Sequence, residues 1–234
     1  MRSMFDAIAA RYDLMNRLIS LGLDRSWRRR AVAALELAPP SVVIDVACGT
    51  GDLCRELTSA GHLAVGIDFS PKMLATARVG AVPLVQADAS LLPVASASAD
   101  GVVCGFALRN LTDLATVFAE MARVVRPGGR ISLLEIDAPR ARLLGLGHRL
   151  WFRRVVPHLG ALFSDQAAYR YLPRSVAYLP PPTEIAALVT EAGFTGLRRR
   201  QLHRGLAQIV VATRAGGRPL SSRPRPDRSG ENPT

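Results

Sequence analysis

The residues best suited to bind a ligand lie in a glycine-rich turn that follows a short apolar run. Gly49, Thr50 and Gly51 come directly after the β-branched segment Val42–Val46 and two small residues. Glycine has no Cβ, so a turn of this kind lets a ligand approach the backbone closely. Asp45 lies inside the apolar run, where a carboxylate is costly to bury unless a cation or N–H groups pair with it. The pattern predicts a ligand-binding turn at the carboxyl end of a buried strand.

Two acidic residues follow the next two predicted strands. Asp68 ends the second strand, where a carboxylate can accept hydrogen bonds from both ribose hydroxyls of an adenosine-type ligand. Asp88 and Ala89 follow the third strand and are placed to meet the adenine edge. A dinucleotide-binding fingerprint would have its third glycine at Cys54. We therefore expect a smaller, cationic nucleoside ligand, and a helix-capping role is the alternative for Asp68.

These residues require a sheet whose strands end along one edge. Apolar strands and amphipathic helices alternate along the chain, which predicts an α/β fold with a doubly wound parallel sheet. The five alternating strands are predicted at Val42–Val46, Leu63–Ile67, Pro83–Gln86, Ala99–Phe106 and Arg130–Ile136. The intervening helices are predicted at Leu53–Ala60, Ser70–Arg78 and Leu111–Val125. A terminal strand pair, Leu197–Leu202 and Ala207–Thr213, completes a mostly parallel seven-stranded sheet.

Three segments flank or interrupt this alternation within a domain predicted over residues 1–214. Residues 1–37 are predicted to form an N-terminal helical segment, in which Asp24 caps a helix over Asp24–Leu37. Residues 138–182 are predicted to form a helical insertion after the fifth strand, on the substrate side, followed by a helix over Thr183–Ala192 with Thr183 as its cap. Residues 215–234 are rich in Arg, Pro, Gly and Ser, so we expect a disordered tail.

The net charge of +11 is unevenly distributed along the chain. Acidic and basic residues balance over residues 1–137, and residues 138–234 carry the whole excess. This asymmetry indicates an anionic partner such as a membrane surface, a nucleic acid or an anionic substrate. A coding bias is the alternative, because Lys72 is the only lysine and arginine is favoured throughout.

Cysteine content and hydropathy favour a cytoplasmic protein. Cys48, Cys54 and Cys104 match neither a disulfide framework nor a zinc site, so buried free thiols are expected. No apolar run is long enough to span a bilayer, and the N-terminus lacks the features of a secretory signal.

Together these motifs resemble the class I S-adenosylmethionine-dependent methyltransferases, which have a Rossmann-like fold. Within that class the chain is similar to the family that C-methylates quinone precursors in menaquinone and ubiquinone synthesis. The segments that carry this resemblance are Tyr12–Asn16 with Trp27, Asp45–Asp52, Gly66–Leu74, Ala107–Asn110, Arg123–Gly129 and Ala168–Val176. Asp24 stands where the family usually has His, so a catalytic role is not expected there. The short chain and its arginine bias favour the menaquinone branch.

The resemblance implies a site for S-adenosylmethionine in the glycine turn and at the ends of the strands. Thr50, Asp68, Asp88 and Ala89 correspond to cofactor-contacting positions. Gly49 and Gly51 form the turn between them. Gly105 stands where relatives often have Ser, so it offers only backbone groups.

The implied reaction is methylation of a ring carbon of a prenylated quinol, with demethylmenaquinol as the acceptor in the last step of menaquinone synthesis. A sulfonium methyl is already electrophilic, so no metal is expected. We hypothesise that Arg109 stabilises the quinol phenolate and that Tyr12 and Asn110 orient the quinol or a water. A salt bridge for Arg109 and core packing for Tyr12 are the alternatives. His148, His158 and His203 are alternative bases.

The prenylated acceptor resides in a bilayer, which makes a membrane surface the expected anionic partner. We hypothesise that the apolar, basic segment 143–163 touches the inner face of the plasma membrane, an ordinary lid helix being the alternative. No catalytic motif of a nucleic-acid methyltransferase is present, so no nucleic-acid partner is expected. Another small-molecule methyltransferase and a basic, non-catalytic binding module remain open, as does a homodimer.

Overall fold

The computed structural model describes residues 6, 17, 20, 22–137 and 179–216. The predicted insertion up to residue 178, most of the first 21 residues and the tail from residue 217 lie outside the described residues. Within them the helices are α1 (Asp24–Ala33), α2 (Asp52–Ser59), α3 (Pro71–Thr76), α4 (Leu114–Val124) and α5 (Pro182–Glu191). The strands are β1 (Val42–Val46), β2 (Leu63–Asp68), β3 (Leu84–Gln86), β4 (Ala99–Gly105), β5 (Val125–Ile136), β6 (Phe194–Leu202) and β7 (Ala207–Arg214).

The seven strands form one sheet in the order β3-β2-β1-β4-β5-β7-β6. Strands β1 to β5 are parallel to one another, and β7 is antiparallel to both β5 and β6. The predicted doubly wound, mostly parallel seven-stranded sheet is therefore confirmed. The strand order reverses beside β1, and the crevice at such a point is where open α/β sheets bind ligands.

Helices cover both faces of the sheet because its central strands are apolar on both sides. Helices α1 and α2 pack on one face through side chains such as Trp27, Val32 and Leu57. Helices α4 and α5 pack on the other through Phe118, Met121 and Val189. Both layers hold the carboxyl ends of β1, β2 and β4 in fixed positions.

Several predicted helix starts differ from those in the structure. Ser70 caps α3 as predicted, its Oγ accepting from the Met73 N–H at 3.2 Å. Asp24 does not cap α1, because it lies in the first helical turn after Leu23 and its carboxylate pairs with Arg28 instead. Thr183 does not cap α5, which begins at Pro182, since proline suits the first helical position.

Two boundaries around the fourth and fifth strands were also wrong. The helix predicted from Leu111 begins at Leu114 with Asp113 as its cap, and Leu108–Asn110 form a separate 3₁₀ turn. Asp113 accepts a hydrogen bond from the Thr116 N–H at 3.0 Å. This cap favours a helix that begins at Leu114 over one that begins at Leu111. Strand β5 begins at Val125 rather than Arg130, before the proline-glycine turn.

Candidate active site

The glycine turn between β1 and α2 has a backbone conformation that suits few other residues. Gly49 and Gly51 have φ angles of 56° and 80°, in the left-handed region. A Cβ built on Gly51 would lie 2.2 Å from Cγ1 of Val79. Both the dihedral angle and the close packing therefore require glycine at position 51. The turn directs backbone groups towards the space beyond the end of β1.

Asp68 joins the end of β2 to this turn. It is buried, and its Oδ2 accepts from the Gly49 N–H at 2.8 Å while Oδ1 accepts from the Ser70 N–H at 2.9 Å. Burial raises the pKa of Asp68, and these N–H groups oppose that rise. Each carboxylate oxygen has a second lone pair, so the side chain can still accept from the hydroxyls of a bound ribose.

Asp88 and Ala89 follow β3 at the same edge of the sheet. Asp88 is exposed, and its Oδ1 accepts from both the N–H and the hydroxyl of Ser90, at 2.8 and 2.7 Å. These two hydrogen bonds lower the pKa of Asp88. Ala89 is buried beside it. The pair offers a fixed carboxylate and a small side chain at the opening of a cavity.

The carboxyl ends of β1 to β4 surround a cavity of about 340 Å³. Six of the site residues predicted from the sequence line it, namely Gly49, Asp68, Asp88, Ala89, Gly105 and Asn110. The rest of its wall includes apolar side chains such as Ile67, Met73, Phe106, Leu111 and Val117. One part of the cavity is therefore suited to a nucleoside, and another to an apolar ring.

A second cavity of about 30 Å³ adjoins the first and is more polar. The two share Ala47, Gly49, Gly105 and Phe106 in their walls. Thr50, a predicted cofactor-binding residue of the glycine turn, lines this smaller cavity. Arg28, Asp45 and Asp52 line it as well. Arg28 was missed by the sequence analysis, although its spacing from Asp24 is that of an ion pair on one helix face.

Arg109, the predicted phenolate-stabilising residue, lies in the 3₁₀ turn after β4 and is buried. Its guanidinium forms a salt bridge with Glu135, which is also buried at the end of β5. Glu135 Oε1 also accepts from the Ile136 N–H at 2.9 Å, and its Oε2 has no hydrogen-bond partner among the described residues. The salt bridge given as the alternative role for Arg109 is therefore present. Arg109 is not in the described lining of either cavity, although the next residue, Asn110, lines the larger one.

The remaining predicted catalytic residues are placed differently. Tyr12, His148, His158 and the segment 143–163 lie outside the described residues. His203 lies in the β6–β7 turn, where its Nδ1 accepts from the indole N–H of Trp27 at 2.7 Å. It does not belong to the described lining of either cavity.

The chain is similar to several known proteins in sequence and in fold. The demethylmenaquinone methyltransferase of Thermus thermophilus is 45% identical over 221 residues, covering 90% of this chain and 100% of that protein. The ubiquinone/menaquinone biosynthesis C-methyltransferase UbiE of Syntrophotalea carbinolica is 39% identical over 222 residues, covering 92% and 94%. A crystal structure of an S-adenosylmethionine-dependent methyltransferase from Thermotoga maritima, described as a possible histamine N-methyltransferase, has a TM-score of 0.67 at 18% identity and covers 92% and 99%.

The solved structure shares the fold, whereas the two sequence relatives extend the similarity to nearly the whole length of both chains. The sequence profile of the ubiE/COQ5 methyltransferase family matches residues 1–214, which include every described element of the sheet. This chain therefore belongs to the ubiE/COQ5 methyltransferase family.

Proposed function

We propose that this methyltransferase transfers a methyl group to a ring carbon of demethylmenaquinol, the last step of menaquinone synthesis. The observation that carries the proposal is the continuous cavity that joins Asp68 and Asp88 to an apolar wall. Five relatives named demethylmenaquinone methyltransferase, including that of Thermus thermophilus, are 41–45% identical to this chain and support the same acceptor.

S-adenosylmethionine is the methyl donor, and the residues of the site fit it. The carboxylate of Asp68 suits the ribose hydroxyls, and Asp88 with Ala89 suits the adenine edge. The left-handed glycines leave the backbone of the turn open to close approach. The bound donor supplies a methyl group on a positively charged sulfur, which is electrophilic without a metal ion.

The protein must make a ring carbon of the acceptor nucleophilic and align it with the methyl group. Loss of a phenolic proton from the quinol places electron density on the adjacent carbon, and a tyrosine-like hydroxyl has a reference pKa of about 10. A nearby guanidinium favours the phenolate, and we assign this role to Arg109, whose orientation Glu135 fixes. Asn110 lines the cavity and, with Tyr12, orients the quinol or a water that carries its proton.

The apolar wall contributes by excluding water from the reacting carbon. Leu111 and Val117 on one side and Phe106 on another present no hydrogen-bonding side chains to the acceptor. Charges interact more strongly in such surroundings than in water.

The test is transfer of a labelled methyl group to reduced demethylmenaquinone by the full-length chain. We expect turnover with the naphthoquinol, a loss of about a hundredfold or more in Arg109→Ala, and a smaller loss in Tyr12→Phe. Arg126→Ala is the control, because Arg126 pairs with Asp100 at the opposite edge of the sheet. Normal turnover of Arg109→Ala with unchanged donor binding would remove that residue from the mechanism.

A ubiquinone precursor is the second candidate acceptor, because one relative at 39% identity is named for both pathways. A benzoquinol analogue tested alongside the naphthoquinol separates the two. Preference for the naphthoquinol supports the menaquinone assignment. Equal or greater turnover of the benzoquinol contradicts it.

We also propose that the enzyme works at the cytoplasmic face of the membrane as a peripheral protein, because its acceptor is prenylated. In the part of the chain that the structure describes, no helix has the length and apolar character needed to cross a bilayer. The side chain of Arg25 is 80% exposed at the start of α1, and Arg204 is exposed in the β6–β7 turn. The Trp27–His203 hydrogen bond brings these two segments together at the edge of the sheet that bears the cavities.

A further inference from the structure

Arg28 is a buried cation whose position the proposed chemistry does not yet explain. It lies on the inner face of α1, and only 7% of its side chain is exposed. Its Nη1 pairs with Asp24 one turn earlier, and its Nη2 pairs with Asp52 Oδ2 at 2.9 Å. The guanidinium carbon lies 5.5 Å from the centre of the Phe106 ring. Burying a charge carries a desolvation penalty, which the two ion pairs offset only while they hold the guanidinium in one place.

The guanidinium faces the small polar cavity, and it is the only cationic side chain in the described lining of that cavity. Asp45 lies in the same wall, and its Oδ1 has no hydrogen-bond partner among the described residues although the residue is 1% exposed. A fixed cation and an unpartnered oxygen of the Asp45 carboxyl group, which can accept a hydrogen bond, therefore share one enclosed space. That combination suits a ligand group that carries both a negative and a positive charge.

The donor has such a group at the end opposite its adenine. With the nucleoside held by Asp68 and Asp88 in the larger cavity, its amino-acid end must leave across Gly49 and Gly105, which line both cavities. The α-carboxylate then enters the space lined by Arg28, and the α-ammonium enters the space lined by Asp45. An arginine presents five N–H donors, so two ion pairs leave donors for a carboxylate.

We infer that Arg28 binds the α-carboxylate of the methyl donor, and that Asp24 is the positioning residue that holds its guanidinium beside the small cavity. The inference rests on the donor site described above and adds the recognition of the donor's amino-acid end.

Several contacts keep Asp24 ionised for this task. Burial alone would raise its pKa, but the Ser20 hydroxyl, which donates to Oδ1 at 2.8 Å, and the Arg28 charge lower it below the usual value. Asp52 is in turn paired with Arg55, so the cluster of two carboxylates and two guanidiniums is neutral overall. The surroundings of Arg28 therefore add no net negative charge that would repel the carboxylate of the donor.

Calorimetric titration with two ligands tests this directly. S-adenosylhomocysteine carries the α-carboxylate, whereas its decarboxylated form keeps the nucleoside and the ammonium. We expect the unaltered protein to bind S-adenosylhomocysteine about ten to a hundred times more tightly, as a charged hydrogen bond predicts. In Arg28→Gln that preference should fall to about twofold or less, while affinity for the decarboxylated ligand stays within about threefold.

Three further variants keep the test decisive. Asp24→Asn/Arg28→Gln removes both charges of the buried pair, so it avoids a stranded carboxylate if the single variant does not fold. Arg25→Ala is the matched control, because Arg25 is an exposed arginine on the same helix, and it should keep the full preference. Asp24→Asn should lower the preference partly by loosening Arg28.

An unchanged preference in Arg28→Gln, or equal binding of both ligands by the unaltered protein, would overturn the inference. Binding is measured without any acceptor, so a failure of the quinol assignment leaves this result standing. Conversely, normal quinol turnover by Arg28→Gln with an unchanged Michaelis constant for the donor would count against the carboxylate contact alone.

Discussion

Asp45 is buried at the carboxyl end of β1, where the sequence indicated an unusual carboxylate. Its Oδ2 accepts from the Cys54 thiol at 3.3 Å. Burial raises the pKa of Asp45 to about 7. The hydrogen bond from the Cys54 thiol opposes this rise, the negative charge of Asp68 adds to it, and the positive charge of Arg28 opposes it. In the unfolded chain the same group ionises near its usual value of 3.8.

This shift predicts a pH dependence of stability. Between pH 3.8 and about 7, Asp45 keeps its proton in the folded chain and loses it in the unfolded chain. Its contribution to the free energy of unfolding is therefore fully present below pH 3.8 and is lost as the pH rises towards 7. In Asp45→Asn this loss is absent, and the stability of the variant relative to the unaltered protein should rise by up to about 4 kcal/mol over that range. Urea unfolding at several pH values measures the difference. Parallel stability curves for the two proteins would contradict the assignment, since Asp68 titrates in both.

The Arg109–Glu135 pair allows a structural role to be separated from a catalytic one. Glu135→Ala leaves a buried guanidinium without its partner and should cost about 3–5 kcal/mol of folding free energy. Replacing both residues by leucine removes both charges, so much of this stability should return. Methyl transfer should not return with it. A stable double variant with normal turnover would show that Arg109 acts only in the fold.

At the scale of elements, the glycine turn shows which local rules the sequence already expresses. The β-branched run, the glycines and the capping serine at position 70 predicted β1, its turn and the start of α3 correctly, because each depends on nearby residues. The predicted range of α1 begins at the right residue, but Asp24 does not cap it, because its carboxylate pairs with Arg28. The starts of α4 and α5 were less predictable, because a competing cap or a proline shifts the first helical turn by one to three residues.

Substitution of Gly51 tests the packing of this turn. Gly51→Ala places a Cβ 2.2 Å from Val79 Cγ1 in a left-handed backbone. Gly80→Ala is the control, because Gly80 is also left-handed, at 65°, but a Cβ there meets nothing within 4 Å. Thermal unfolding should show that Gly51→Ala costs at least about 1 kcal/mol more than Gly80→Ala, and titration should show weaker binding of S-adenosylhomocysteine. Equal losses for the two variants would mean that the contact with Val79 relaxes without effect.

At the scale of the whole molecule, the sheet topology collects the site at one edge. The β6–β7 turn lies at that edge as well, because β7 starts opposite the end of β5. Cationic side chains on α1 and in this turn therefore lie at the end of the sheet that bears the cavities. Each arginine near an anionic bilayer contributes about 1 kcal/mol of attraction, and added salt screens it.

Vesicle flotation tests the orientation that this edge implies. The chain should float with anionic vesicles at low salt and be released at high salt. Arg25→Glu/Arg204→Glu should weaken binding by at least tenfold, whereas Arg126→Glu, at the opposite edge, should have a smaller effect. Failure to float at low salt would refute membrane contact. A larger loss in Arg126→Glu would assign the contact to the other edge.

The sequence by itself determined the order of strands and helices, the glycine turn and the carboxylates at the ends of β2 and β3. Alternating hydropathy, glycine conformation and capping act over a few residues, so they can be read along the chain. Only the tertiary structure decided that Arg28 meets Asp52, that Arg109 meets Glu135 and that two cavities adjoin at Gly49. Those contacts join residues on different elements, and the way the strands pair and the helices pack determines which of them meet.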